Sequence, residues 1–146
     1  MIWQGATLLD DSRTRATATN DTITVGGAHP SAVLRITAGS ARRFKAVDAD
    51  TGGEYVLRKA GFTVARYTAD CDGRRYTLNR TGLHREIRDA AGTLVAVTRG
   101  KASGDLHVEV KADVDAAAEA DLPMEDLVFM TWALTFVDTP TRRTRI

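Results

Sequence analysis

Two stretches carry carboxylates at spacings that suggest calcium. In "DADTGG", Asp48 and Asp50 open a small turn, and in "DVDAAAEAD", Asp113, Asp115, Glu119 and Asp121 follow one another closely. An EF-hand loop needs oxygen ligands at positions 1, 3 and 5, glycine at 6 and glutamate at 12. Counted from Asp48, position 5 is Gly52 and position 12 is Lys59; counted from Asp113 there is no glycine and position 12 is Met124. Both patterns fail, so no metal and no cofactor is expected. The two stretches read as a hairpin turn and a solvated lead-in to a helix.

Nucleophilic or acid–base catalysis would have to use His29, His84, His107, Cys71 or a serine. The chain contains no G-x-S-x-G, H-E-x-x-H or C-x-x-C motif, so no catalytic residue is assigned. The third chemistry is anion binding. Arg58, Lys59, Arg66, Arg74, Arg75, Arg80, Arg85 and Arg88 lie close together in sequence, and cationic side chains converging on one side of a sheet can hold phosphates. The arginines of this group are the candidate ligand-binding residues. Tyr67 and Tyr76 among them could stack on bases, but strand tyrosines serve mostly as packing and nucleic acid is not expected. Arg142, Arg143 and Arg145 of the terminal "TRRTRI" read as a solvated basic tail.

Charge is balanced overall and uneven along the chain. The net charge is +1, yet residues 35–101 hold 14 basic and 7 acidic residues, whereas residues 105–138 hold 1 basic and 9 acidic. At 146 residues the chain is the size of one ordinary domain. The single Cys71 cannot form an intramolecular disulfide, and the first fifteen residues lack the charged and apolar regions of a secretion signal; a cytoplasmic location is expected.

The elements that must position these residues are mostly strands. In "DLHVEVK", Leu106, Val108 and Val110 alternate with His107, Glu109 and Lys111, the period of two that buries one face of a strand. "FTVARYTA" and "RRYTLNR" flank an Asp-Gly turn, and "RRFKAVD" with "EYVLRK" and "LHREIRD" with "TLVAVTR" flank similar small-residue turns. Three successive hairpins of a meander follow. "DTITV" and "AVLRITA" supply two earlier strands, and residues 1–21 remain without a clear assignment.

The character then changes. Pro123 suits the first turn of a helix, Glu125 and Asp126 favour the positive end of its dipole, and Pro140 marks its end, so a helix is expected over about 123–138. Its "LVFMTWALTFV" segment spans about 16 Å, roughly half of a bilayer's hydrocarbon core, and is too short to cross it. Only Thr131, Thr135 and Asp138 form a thin polar stripe, and a helix apolar nearly all round must be enclosed nearly all round. A mainly β fold is expected: a closed antiparallel barrel of about 10–12 strands wrapping this helix, which removes exposed strand edges and fills the lumen together.

The repeated units of a strand, an Asp, a short spacer, a Gly and a second strand at Asp48 to Gly52 and Asp89 to Gly92, followed by "DLPMEDLVFMTWALTFVD", resemble the Tubby C-terminal-like superfamily, which includes the LURP-one-related proteins and phospholipid scramblases. The resemblance covers 42–138 and implies a barrel of about a dozen strands around a C-terminal helix. Members differ in function, from phosphoinositide binding to calcium-linked lipid movement, so the resemblance implies fold more than activity. The functional expectation is a non-enzymatic module that binds an anionic lipid headgroup, another phosphate-bearing ligand or a protein partner on its basic outer strands. A small hydrolase-like enzyme with a pocket at a barrel end is the alternative, and a pocket lined by His84 or His107 with a nearby carboxylate and a perturbed pKa would favour it.

Overall fold

The computed structural model describes residues 1–115 and 121–140. Its strands are β1 (Ile2–Gln4), β2 (Thr7–Asp10), β3 (Arg13–Ala18), β4 (Thr22–Val25), β5 (Ala32–Ser40), β6 (Arg43–Asp48), β7 (Glu54–Lys59), β8 (Arg66–Cys71), β9 (Arg74–Thr81), β10 (His84–Asp89), β11 (Leu94–Gly100) and β12 (Leu106–Val110), followed by one helix, α1 (Met124–Asp138). Each strand pairs antiparallel with its neighbours in sequence, and β1 closes the ring against β12 through Ile2 opposite His107 and Trp3 opposite Leu106. The result is a closed twelve-stranded barrel.

Local chemistry sets the turns. Asp72 (φ 53°) and Gly73 (φ 88°) both adopt positive φ, the two-residue geometry that matches strand twist and that Asp-Gly favours. In the other two hairpins one aspartate organises the loop: Asp48 Oδ1 accepts from the amides of Asp50 (2.9 Å) and Thr51 (3.1 Å), and Asp89 Oδ1 from those of Ala91 (3.0 Å) and Thr93 (2.9 Å). The repeated aspartates are therefore turn builders. One expected strand is shorter than the pattern suggested: "FTVARYTA" becomes extended only at Arg66, and 60–65 is a loop. The unassigned N-terminal segment supplies β1, β2 and β3.

The helix is the core. Residues 126–135 of α1 are buried without a break, and Trp132 packs edge-on against Phe44 (5.6 Å between centroids) and Phe136 (5.4 Å). Its thin polar stripe is consumed internally, since Thr131 Oγ1 accepts from Trp3 Nε1 (2.8 Å) and donates to the Leu127 carbonyl (2.7 Å). An aspartate at each end ties α1 to the wall. Asp126 accepts two hydrogen bonds from Arg74 (2.7 and 2.9 Å) and one from Tyr76 Oη (2.6 Å), while Asp138 accepts two from Arg85 (both 2.8 Å) and one from Arg80 (3.2 Å). The spacing agrees: six residues of strand between Arg74 and Arg80 cover roughly 20 Å, and twelve residues of helix between the aspartates roughly 18 Å.

The barrel thus has two unlike mouths. At the N-terminal end of α1, the connecting loops with the strand residues that flank them hold ten acidic and three basic residues among those described; at the C-terminal end, the same count gives five basic and two acidic. Each sign opposes the helix dipole at its own end, which favours this arrangement electrostatically.

Candidate functional site

The seven candidate arginines do not form one surface, because strand parity divides them. On β9 and β10 the core residues Tyr76, Leu78 and Ile87 point inward, so Arg74, Arg80 and Arg85 share their parity and turn toward the lumen. All three are committed to α1 through Asp126 and Asp138.

Arg85 is the most enclosed, at 1% exposure. Beyond Asp138 it donates to the carbonyls of Val64 (2.8 Å), Ala65 (3.2 Å) and Leu78 (3.2 Å), which uses all five of its N–H groups, and its guanidinium lies 5.4 Å from the centre of the Tyr67 ring. None of this capacity remains for a ligand. Asp126 is fully buried, and burial pushes its carboxyl above the ordinary carboxylate value against the opposing pull of Arg74 and Tyr76; the hydrogen bond to Asp126 in turn raises Arg74.

Of the outward arginines, Arg88 bonds Glu86 (3.0 Å) and the Gly92 carbonyl (3.0 Å), and Arg75 lies 3.8 Å from Asp70. Arg58 and Arg75 line a concavity of about 910 Å³ on the outer face of β7–β9, but Glu54, Asp70, Asp72 and Asp89 line it too, so it offers no net attraction to an anion.

That leaves Arg58 and Arg66, and the fold gives them new company. Arg43 stands directly opposite Arg58 in the β6–β7 register, both on the outer face, with Lys45 two residues along β6, Arg42 in the preceding turn and Arg66 at the end of loop 60–65; Lys59, at the start of that loop, has the inward parity of Tyr55 and Leu57 and lies at the rim of the mouth. Among the described residues none of these six side chains makes an ion pair or hydrogen bond. Like charges opposite one another on a sheet are destabilising, so a pair with no ion-pair partner of its own gains from binding an anion. Sequence reading missed Arg42, Arg43 and Lys45, although "ARRFKAVD" carries the signal: Phe44 faces inward, which fixes Arg43 and Lys45 outward.

Two apolar side chains complete this mouth. Phe62, in loop 60–65, is 101% exposed, and Leu83, in the turn between β9 and β10, is 77% exposed. The loops are neighbours, since the amide of Arg80 donates to the Ala65 carbonyl (2.7 Å) and Arg85 holds both Val64 and Ala65. Reading Phe62 as part of a strand had hidden it.

The features that would support catalysis are less coherent. The pocket on which the enzyme alternative depends does exist: His84, His107 and Glu109 line one open groove of about 920 Å³. Lys111, 2.6 Å from Glu109, holds that carboxyl below the usual range, which makes it a weak base. Cys71 is fully buried, and burial pushes its thiol up, so it is no nucleophile. His29, in the exposed loop between β4 and β5, lines a separate open concavity of about 730 Å³ with Asp115, Asp121 and Glu125.

Nor do the carboxylate clusters collect around a cation position. Asp115 bonds Arg15 (2.6 Å), Glu119 lies outside the described residues, and no group of three or more metal-ligating side chains occurs among the described residues. The terminal arginines Arg142, Arg143 and Arg145 also lie outside them. No helix among the described residues is long and apolar enough to cross a membrane. Compared with family models, curated proteins and solved structures, the chain matches none.

Proposed function

We propose that the protein is a non-enzymatic binding module for a phosphate-bearing anionic ligand, held on the outer face of β6–β8 at the mouth where α1 ends. The observation that carries this reading is the pair Arg43 and Arg58, opposed across β6–β7 within a group of six cations whose side chains make no ion pair or hydrogen bond among the described residues. Arg58 and Arg66 belong to the set read from sequence; Arg74, Arg75, Arg80, Arg85 and Arg88 are engaged elsewhere and leave it. A guanidinium pair presents planar donors that match phosphate oxygens, and a shallow cationic face suits a headgroup or polyanion better than an enclosed substrate.

Membership of the Tubby C-terminal-like superfamily is part of the same proposal, supported by the twelve-stranded wall around a C-terminal helix. A cytoplasmic compartment is proposed on the strength of the single unpaired cysteine.

Flotation with phosphatidylcholine vesicles, with and without phosphatidylserine, tests the reading alongside titration with inositol hexakisphosphate. Binding to one of the anionic probes is expected at ~0.01 M salt and should be lost at ~1 M, where the screening length falls from about 30 Å to about 3 Å. The double variant Arg43→Glu/Arg58→Glu should lose it at low salt as well. Binding that survives the double variant would place the ligand elsewhere.

A further inference from the structure

We propose that the mouth at the C-terminal end of α1 docks end-on onto an anionic bilayer, with Phe62 and Leu83 inserted among the lipid headgroups. The inference rests on the basic-strand reading above and adds the source of the anion and the mode of contact.

Phe62 and Leu83 are the large hydrophobic side chains left exposed among the described residues, and they occur on adjacent loops of one mouth. An aromatic ring held wholly in water gives up the stabilisation it would gain by burial. Their presentation is built. Arg85, itself buried, fastens the base of loop 60–65 through Val64 and Ala65, so Phe62 stands on a supported loop. Lys59 and Arg66 bracket that loop, and Arg43 and Arg58 stand behind it.

Apolar tips ringed by cations suit a membrane interface, where a small buried apolar area and electrostatic attraction act together and each alone is weak. A protein partner is less well matched. Two isolated apolar side chains fall far short of the well-packed core of a stable protein interface. The opposite mouth gives the orientation, because its ten acidic against three basic residues would be repelled by an anionic surface and turned away from it.

The test introduces a tryptophan at the tip, Phe62→Trp, and mixes the protein with phosphatidylcholine/phosphatidylserine vesicles whose acyl chains are brominated. Native Trp3 and Trp132 are 1% and 3% exposed inside the barrel, so contact quenching reports on the introduced indole. Quenching is expected with the anionic vesicles and not with pure phosphatidylcholine. The double variant Phe62→Ala/Leu83→Ala should keep the fold and weaken anionic-vesicle binding by roughly ten-fold or more at the same salt. Flotation with an unquenched indole overturns insertion while leaving the cationic site standing. Binding of inositol hexakisphosphate without any vesicle binding does the same and assigns the site to a soluble polyanion. Failure with both probes removes the site as well as the docking.

Discussion

The two mouths of the barrel solve one problem with different residues. Each must fasten a helix end to the wall through an aspartate, and each draws its cation from the β9–β10 hairpin. At the acidic mouth Asp126 sits in the first turn, where the helix dipole already favours it, and Arg74 remains 39% exposed with Tyr76 sharing the load. At the basic mouth Asp138 sits in the last turn, against the dipole and with no basic residue of α1 beside it. The wall therefore supplies two arginines, Arg85 and its cross-strand neighbour Arg80, whose mutual repulsion Asp138 relieves. The dipole does part of the work at one end; at the other, buried Arg85 and half-exposed Arg80 do it together.

The largest effect should come from Arg85→Ala, which leaves the nearly buried Asp138 with Arg80 alone, removes a donor from three backbone carbonyls and should cost about 3–5 kcal/mol in urea unfolding. Arg74→Ala, at a half-exposed site with Tyr76 remaining, should cost only about 1–2 kcal/mol. Equal losses would break the asymmetry.

Gly100→Ala sharpens the comparison. A Cβ there would collide with the Asp138 carbonyl, so about 1–3 kcal/mol should be lost, again at the basic mouth.

Asp126 gives the acidic mouth a pH signature. Its proton is held more tightly in the folded chain than in the unfolded one, so its contribution to stability is fullest in acid, below the ordinary carboxylate range. That contribution declines as pH rises through the elevated native value. Thermal melts across the acid range should show a flatter dependence for Asp126→Asn, and an unchanged slope would assign it to other carboxylates.

The smallest effect on stability should come from Phe62→Ala and Leu83→Ala, within about 0.5 kcal/mol of the parent, since neither side chain is packed. A larger loss would make these tips structural.

The barrel and its helix were legible because their signals are local. Alternation in "DLHVEV", Asp-Gly turn chemistry and an apolar run with no polar face each need only neighbouring residues. The N-terminal strands were not legible: β1 and β2 have three and four residues, and β3 buries Arg15 on an inward position, where Asp10 and Asp115 pair with it and the alternation is broken. The division of the arginines was half legible. Parity with Tyr76, Leu78 and Ile87 sends Arg74, Arg80 and Arg85 inward, but their partners lie 50 or more residues away, which no local pattern announces. The cations of β6 joined Arg58 and Arg66 only once register placed Arg43 opposite Arg58.

The helix follows all twelve strands in the chain, so a ribosome releases the wall before the core that fills it. Until α1 emerges, the inward faces of Phe44, Leu57, Leu78 and Ile87 have nothing to close upon, and the joining of β1 to β12 must span more than a hundred residues. The nascent protein is therefore most vulnerable to chaperone capture or aggregation late in synthesis, and a chain stalled before Met124 should be degraded or insoluble.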